Sequence, residues 1–124
     1  MPIIRAADAI TYDLHGSRFT SYAAPARGSA ELCAWHLEVA PGSGGAPHRV
    51  NREEVLRVLT GELVFTIDGH AETLGPDDVA VFPAGSTVNV ANPAAGPATV
   101  WVTTSVGLEA TMADGTVLSP PWVR

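Results

Sequence analysis

His48 and Glu54 stand six positions apart in the stretch PHRVNREEVLRVLTGELVF, and between them they offer an imidazole and a carboxylate. If residues 48–58 run extended, His48, Val50, Glu54, Leu56 and Val58 share parity and project to one side of the strand. One base and one acid then share an otherwise apolar surface. Desolvation there favours the uncharged form of each group, whereas mutual attraction favours the ion pair. Either state supplies groups that can exchange protons near neutral pH. The neighbouring Glu53 has the opposite parity and follows Arg52, so it reads as a solvated surface charge.

The plainest alternative for the pair is a buried His48–Glu54 hydrogen bond that satisfies two polar groups and does nothing more. A metal site needs further donors, because transition metals at catalytic sites usually take at least three protein ligands. The remaining candidates are poor. His36 has the parity opposite to Trp35 and Leu37, His70 follows a turn, and His15 is far upstream. No cofactor is therefore expected, and bound iron, nickel, manganese or zinc stays as the competing expectation.

Composition removes other chemistry. All seven basic residues are arginine, so Schiff-base catalysis through lysine is excluded. The single cysteine, Cys33, allows neither an internal disulfide nor a Cys-rich zinc site, and reads as a small buried hydrophobe. A formal charge of -6 and a pI near 5.0 disfavour nucleic acid as a partner. Arg49, Arg52 and Arg57 are expected mostly on the exterior. No segment approaches the roughly 20 apolar residues that span a bilayer. The first residues, MPIIRAADAITYDLHG, lack the regions of a secretion signal, so no membrane partner and a cytoplasmic location are expected.

The elements that would position the pair are strands. At 124 residues the chain has the size of one domain. Turn signals recur at short intervals: PARGS at 25–29, PGSGGAP at 41–47, DG at 68–69, PAG at 83–85 and NPAAGP at 92–97. Between them lie runs rich in Val, Thr, Leu and aromatics, the pattern of an all-β sandwich or barrel. In LCAWHLEV the apolar Cys33, Trp35, Leu37 and Val39 alternate with His36 and Glu38. ELVFTID and HAETL flank Asp68-Gly69 as a hairpin over 62–74. TVWVTTSV at 99–106 predicts a strand covered on both sides. NREEVLRVLTG fits a helix capped by Asn51 as well as it fits a strand, and its neighbourhood of strands and turns favours strand.

Two motifs in this frame resemble those of the cupin superfamily. The first reads Gly, five residues, His, one residue, His, three or four residues, Glu, six residues, Gly. Gly42, His48, Val50, Glu54 and Gly61 occupy those positions, with valine where the second histidine belongs. The second reads Gly, five residues, Pro, one residue, Gly, two residues, His, three residues, Asn. Pro83, Gly85 and Asn92 match it, Asp77 replaces the first glycine, and Val88 replaces the histidine. The resemblance covers about residues 30–106.

It implies an all-β antiparallel double-stranded β-helix, or jelly-roll barrel, formed by one domain over 1–124 whose terminal extensions pack on the barrel or on a partner subunit. The Pro-Pro-Trp segment near the C-terminus would cover the barrel mouth or meet a neighbour. Cupins that bind metal use two His and the Glu of the first motif with the His of the second, and this chain keeps only His48 and Glu54. The resulting expectation is a small-molecule-binding cupin with metal-independent acid-base chemistry of isomerase, lyase or cyclase type. His48 and Glu54 would act in a cavity lined by Trp35, Val50, Leu56, Phe65, Val88 and Trp101. The alternatives are a metal-dependent, dioxygenase-like cupin with a degenerate site, and a non-catalytic ligand-binding or sensor module. The family also implies a homodimer.

Overall fold

In the computed structural model, which describes residues 2–124, the short apolar runs become twelve strands. In chain order they are β1 (Ile10–Leu14), β2 (Ser17–Ala23), β3 (Leu32–Val39), β4 (His48–Val50), β5 (Glu54–Thr60) and β6 (Leu63–Ile67). They continue with β7 (His70–Leu74), β8 (Val79–Phe82), β9 (Thr87–Ala91), β10 (Ala98–Ser105), β11 (Ala110–Met112) and β12 (Val117–Leu118). Two six-stranded antiparallel sheets result, in the orders β1-β2-β3-β10-β5-β8 and β12-β11-β4-β9-β6-β7. They pack face to face as a jelly-roll, and Phe65 of one sheet meets Phe82 of the other with ring centroids 6.0 Å apart. No helix among the described residues is long and apolar enough to cross a membrane.

Alternation decides which side chains enter the core. Cys33, Trp35, Leu37 and Val39 of β3 are buried, as are Leu56 and Val58 of β5 and Val100 and Val102 of β10. Burying a side chain of this size contributes roughly 1.5–3 kcal/mol. Residues 51–60 contain no helix: β5 is hydrogen-bonded to β10 on one side and β8 on the other, and those ladders override the helical spacing of its leucines and valines. Asp68 and Gly69 both take positive φ, 48° and 83°, the backbone that a two-residue hairpin requires.

One expectation is corrected. Only one face of β10 is covered: Ala98, Val100, Val102 and Thr104 are buried, while Trp101 between them is exposed. β-branched residues tolerate a half-buried strand as readily as a fully buried one, so composition alone does not distinguish the two.

The Asn92 turn is built by side-chain hydrogen bonds. Asn92 is fully buried, donates from Nδ2 to the carbonyls of Val39 at 3.1 Å and Gly96 at 2.8 Å, and accepts from the Ala94 amide at 3.1 Å. That ties the β9–β10 connection to the end of β3.

Candidate functional site

Between the sheets lies a cavity of about 120 Å³ whose wall includes His48, Glu54, Trp35, Val50, Leu56 and Phe82. The inward parity of β4 and β5 brings the first two to the same hollow, although residues 51–53 turn between the strands. Glu54 is the first residue of β5 and lies opposite Phe82 of β8 and Thr104 of β10. With 6% of its surface exposed it is buried, and its carboxyl group has no hydrogen-bond or ion-pair partner among the described residues. The Thr104 hydroxyl, which could have met it, donates instead to the backbone carbonyl of Glu53 at 2.7 Å. Loss of hydration pushes the Glu54 carboxyl up from an ordinary value of 4.5 to about 7.

His48 is half-buried, and its Nδ1 lies 2.8 Å from the Ala46 carbonyl. A carbonyl can only accept, so Nδ1 carries the proton and Nε2 is the nitrogen with a free lone pair in the neutral ring. No hydrogen bond joins His48 to Glu54 among the described residues. The reading in which the two merely satisfy one another is therefore overturned: the imidazole has turned toward the Gly-rich loop before β4, and the carboxyl faces apolar surroundings alone.

Of the other expected wall residues, Trp35, Val50 and Leu56 line the cavity. Phe65 and Val88 are buried in the core beside it rather than on its wall. Trp101 is not part of it. Its odd position on β10, between inward Val100 and Val102, points it to the outer face, where it packs against Tyr22 with ring centroids 5.6 Å apart.

Residues that sequence reasoning passed over also reach the hollow. His15, in the positive-φ turn between β1 and β2, stands at the rim, and the His15-Gly16 dipeptide between two strand-like runs was the available signal. Asn89 of β9 donates from Nδ2 to the Gly44 carbonyl at 2.9 Å and leaves its buried Oδ1 without a partner. Trp122, from the C-terminal turn Pro121–Val123, closes one end. The terminal segment thus packs on β1, β2 and β3 of its own chain and forms part of the cavity wall.

The resemblance to metal-binding cupins can be tested against this donor set. The four ligand positions hold His48, Val50, Glu54 and Val88, and two of these have no lone pair to give. Among the described residues no three His, Cys, Asp or Glu side chains converge on one point. The residues present do not fit a resident transition-metal ion.

A family model described as "Cupin domain" matches residues 35–105. No curated protein matches the chain in sequence. Among solved structures, the chain is similar to the polyketide cyclase RemF from Streptomyces resistomycificus, with 16% identity over 87% of this chain and 81% of that one and a TM-score of 0.77. It is similar to a predicted oxalate decarboxylase from Thermotoga maritima, with 15% identity over 83% and 97% of the two chains and a TM-score of 0.72. A variant of PAC13 from Streptomyces, solved with uridine, aligns at 17% identity over 83% and 79% with a TM-score of 0.67.

Proposed function

This chain belongs to the cupin domain family, and we propose that it binds a small organic molecule between its sheets and moves a proton on it without a metal. The observation that carries this reading is Glu54, a buried carboxyl group with no protein partner, facing the same cavity as an imidazole whose Nδ1 is already engaged. A polar group left alone in an apolar site is costly to keep, and sites that use such a group for chemistry are where the cost is repaid.

The hydrogen bond at Nδ1 supports a division of roles. Because Nδ1 is engaged with the Ala46 carbonyl, Nε2 is the nitrogen turned to accept a proton, which supports His48 as the base and Glu54, whose burial favours the protonated carboxyl, as the acid. His48 Nε2 takes a proton from carbon adjacent to a ligand carbonyl, and Glu54 gives its proton to the carbonyl oxygen. The C–H electron pair becomes the enol double bond, leaving imidazolium and carboxylate. Where the ligand carries a β,γ double bond, the imidazolium returns its proton at the γ-carbon while the carboxylate takes back the enol proton, which completes an isomerisation. Where it carries a second carbonyl, the enol carbon attacks that carbon, the imidazolium protonates the new oxygen and the carboxylate takes the enol proton, which closes a ring. The wall of Val50, Leu56, Phe82 and Trp35 suits a ligand more apolar than hydroxy acids and sugars. The neighbours named a polyketide cyclase and solved with uridine support a small organic ligand as the class of partner.

The test uses ketones from cyclohexanone to 2-tetralone in D2O, with loss of the α-proton signal followed by NMR. The wild-type protein is expected to exchange at least one of them faster than buffer. His48→Gln and Glu54→Gln are expected to lower that rate by at least about 100-fold, the low end for a general acid or base, while remaining folded. Saturable ketone binding with no exchange above buffer would make the protein a binding module instead.

A further inference from the structure

Trp122 occupies a slot built from three other aromatic side chains at one end of the cavity. Its ring stacks on Phe19 with centroids 3.7 Å apart and planes 9° from parallel. Trp35 and Tyr12 tilt against it at 6.5 and 6.3 Å. Only 5% of its surface is exposed, yet its Nε1–H has no acceptor, and neither does that of Trp35 beside it. Buried indole N–H groups usually find a partner, so the closed arrangement leaves two donors unused.

The segment that carries Trp122 is buried at Pro120, Trp122 and Val123, and few side-chain hydrogen bonds tie it to the sheets. The Ser21 hydroxyl donates to the Trp122 carbonyl at 2.8 Å, and the Cys33 thiol to the Val123 carbonyl at 3.5 Å. It follows β12, a two-residue strand at the edge of its sheet. With Trp122 in place the remaining hollow of about 120 Å³ falls below the roughly 300 Å³ at which small-molecule sites usually begin.

We propose that Trp122 is an internal stand-in for the ligand: a planar aromatic molecule bearing an oxygen acceptor displaces it, stacks on Phe19 and accepts a hydrogen bond from Trp35 Nε1–H. The proposal rests on the reading that this cavity receives a small organic molecule, and it names the class. The ring of the ligand takes the indole's place between Phe19, Trp35 and Tyr12, and its polar end extends into the space lined by His48 and Glu54. Closed and open forms compete, so apparent affinity is the intrinsic affinity reduced by the fraction of molecules with Trp122 displaced.

Calorimetric titration with 2-naphthol tests this on the full chain. Ser21→Ala removes one bond of the closed form and leaves the slot intact, and is expected to tighten binding by about three- to tenfold relative to wild type. Trp122→Ala is expected to tighten it further, and Trp35→Phe, made in that background, to weaken it again. Equal or weaker binding by Ser21→Ala overturns the proposal, and this variant decides should Trp122→Ala fail to fold. The outcome separates from that of the acid-base reading. Ketone exchange in the wild type without any response of naphthol affinity to Ser21→Ala removes the slot alone. Tighter naphthol binding in a protein that exchanges no ketone keeps the slot and removes the catalysis.

Discussion

His48 and Val88 face each other as a cross-strand pair of β4 and β9. Side chains so paired lie on one face of the sheet with Cβ atoms about 4.5–5.5 Å apart. In the cupin pattern both positions belong to the metal site, whereas here one partner is a base and the other a buried aliphatic. Val50 makes the same exchange two residues along β4. The two valines are fully buried, so at these two motif positions an aliphatic side chain with no lone pair stands beside His48.

Restoring the donors should therefore restore the metal. A double variant, Val50→His with Val88→His, is expected to be less stable than wild type by about 1–3 kcal/mol without metal, because two imidazoles replace packed aliphatic groups. Nickel or zinc should then raise its melting temperature, with close to one ion per chain by elemental analysis, through binding to the folded state alone. The wild-type melting temperature should not respond to either ion. A stoichiometric ion in the wild-type protein would show that groups beyond His48 and Glu54 complete the site.

The Glu54 carboxyl should leave a signature in stability against pH. Its value rises from 4.5 to about 7 on folding, so between those limits the folded state holds a proton that the unfolded state has released. That contribution is fully present below 4.5 and lost as pH rises through 7, a difference of about 3 kcal/mol. Glu54→Gln, which cannot ionise, should be more stable than wild type by about this amount at pH 8 and nearly equal to it at pH 4.5. Denaturant unfolding at the two pH values measures the difference, and a constant gap would mean that the carboxyl is solvated.

Trp101 has a different future from the one its sequence suggested. On the outer face of β10, β5 and β8 it joins Val55, Val79 and Val81, each at least 36% exposed, and β8 ends its sheet with an unpaired edge. Apolar side chains beside a free edge invite a further layer, and a second copy of this chain is the occupant that twofold symmetry favours. Sedimentation velocity is expected to show a dimer that Trp101→Glu with Val81→Glu converts to monomer while cavity ligands still bind. A monomeric wild-type protein would leave this face without that role.

Much of the frame was legible because it obeys a period of two. Parity placed Cys33, Trp35, Leu37 and Val39 inside and His36 outside, and the motif spacing put His48 and Glu54 at the starts of β4 and β5 and Asn92 in the turn after β9. For β10 the β-branched and aromatic composition suggested cover on both faces, whereas the alternation of Ala98, Val100 and Val102 with Thr99, Trp101 and Thr103 leaves the Trp101 face outward. Parity gave no orientation to the His48 ring, which a backbone carbonyl two residues away captured. Trp122 could not be placed from its own neighbourhood: Ser-Pro-Pro-Trp has no period, and its position depends on Phe19 and Trp35, about a hundred and about ninety residues earlier in the chain.

The place of β10 between β3 and β5 has a temporal meaning. A ribosome completes Trp35 and Glu54 long before it reaches Ala98–Ser105, and until that stretch emerges nothing joins the two halves of the sheet that bear them. Before β10 pairs, Glu54 lacks its Thr104 neighbour and β1-β2-β3 is not joined to β5-β8, so closing the sheet is a late, long-range step of folding. The hollow and its unusual acidity come into being together, when a single late strand closes the seam.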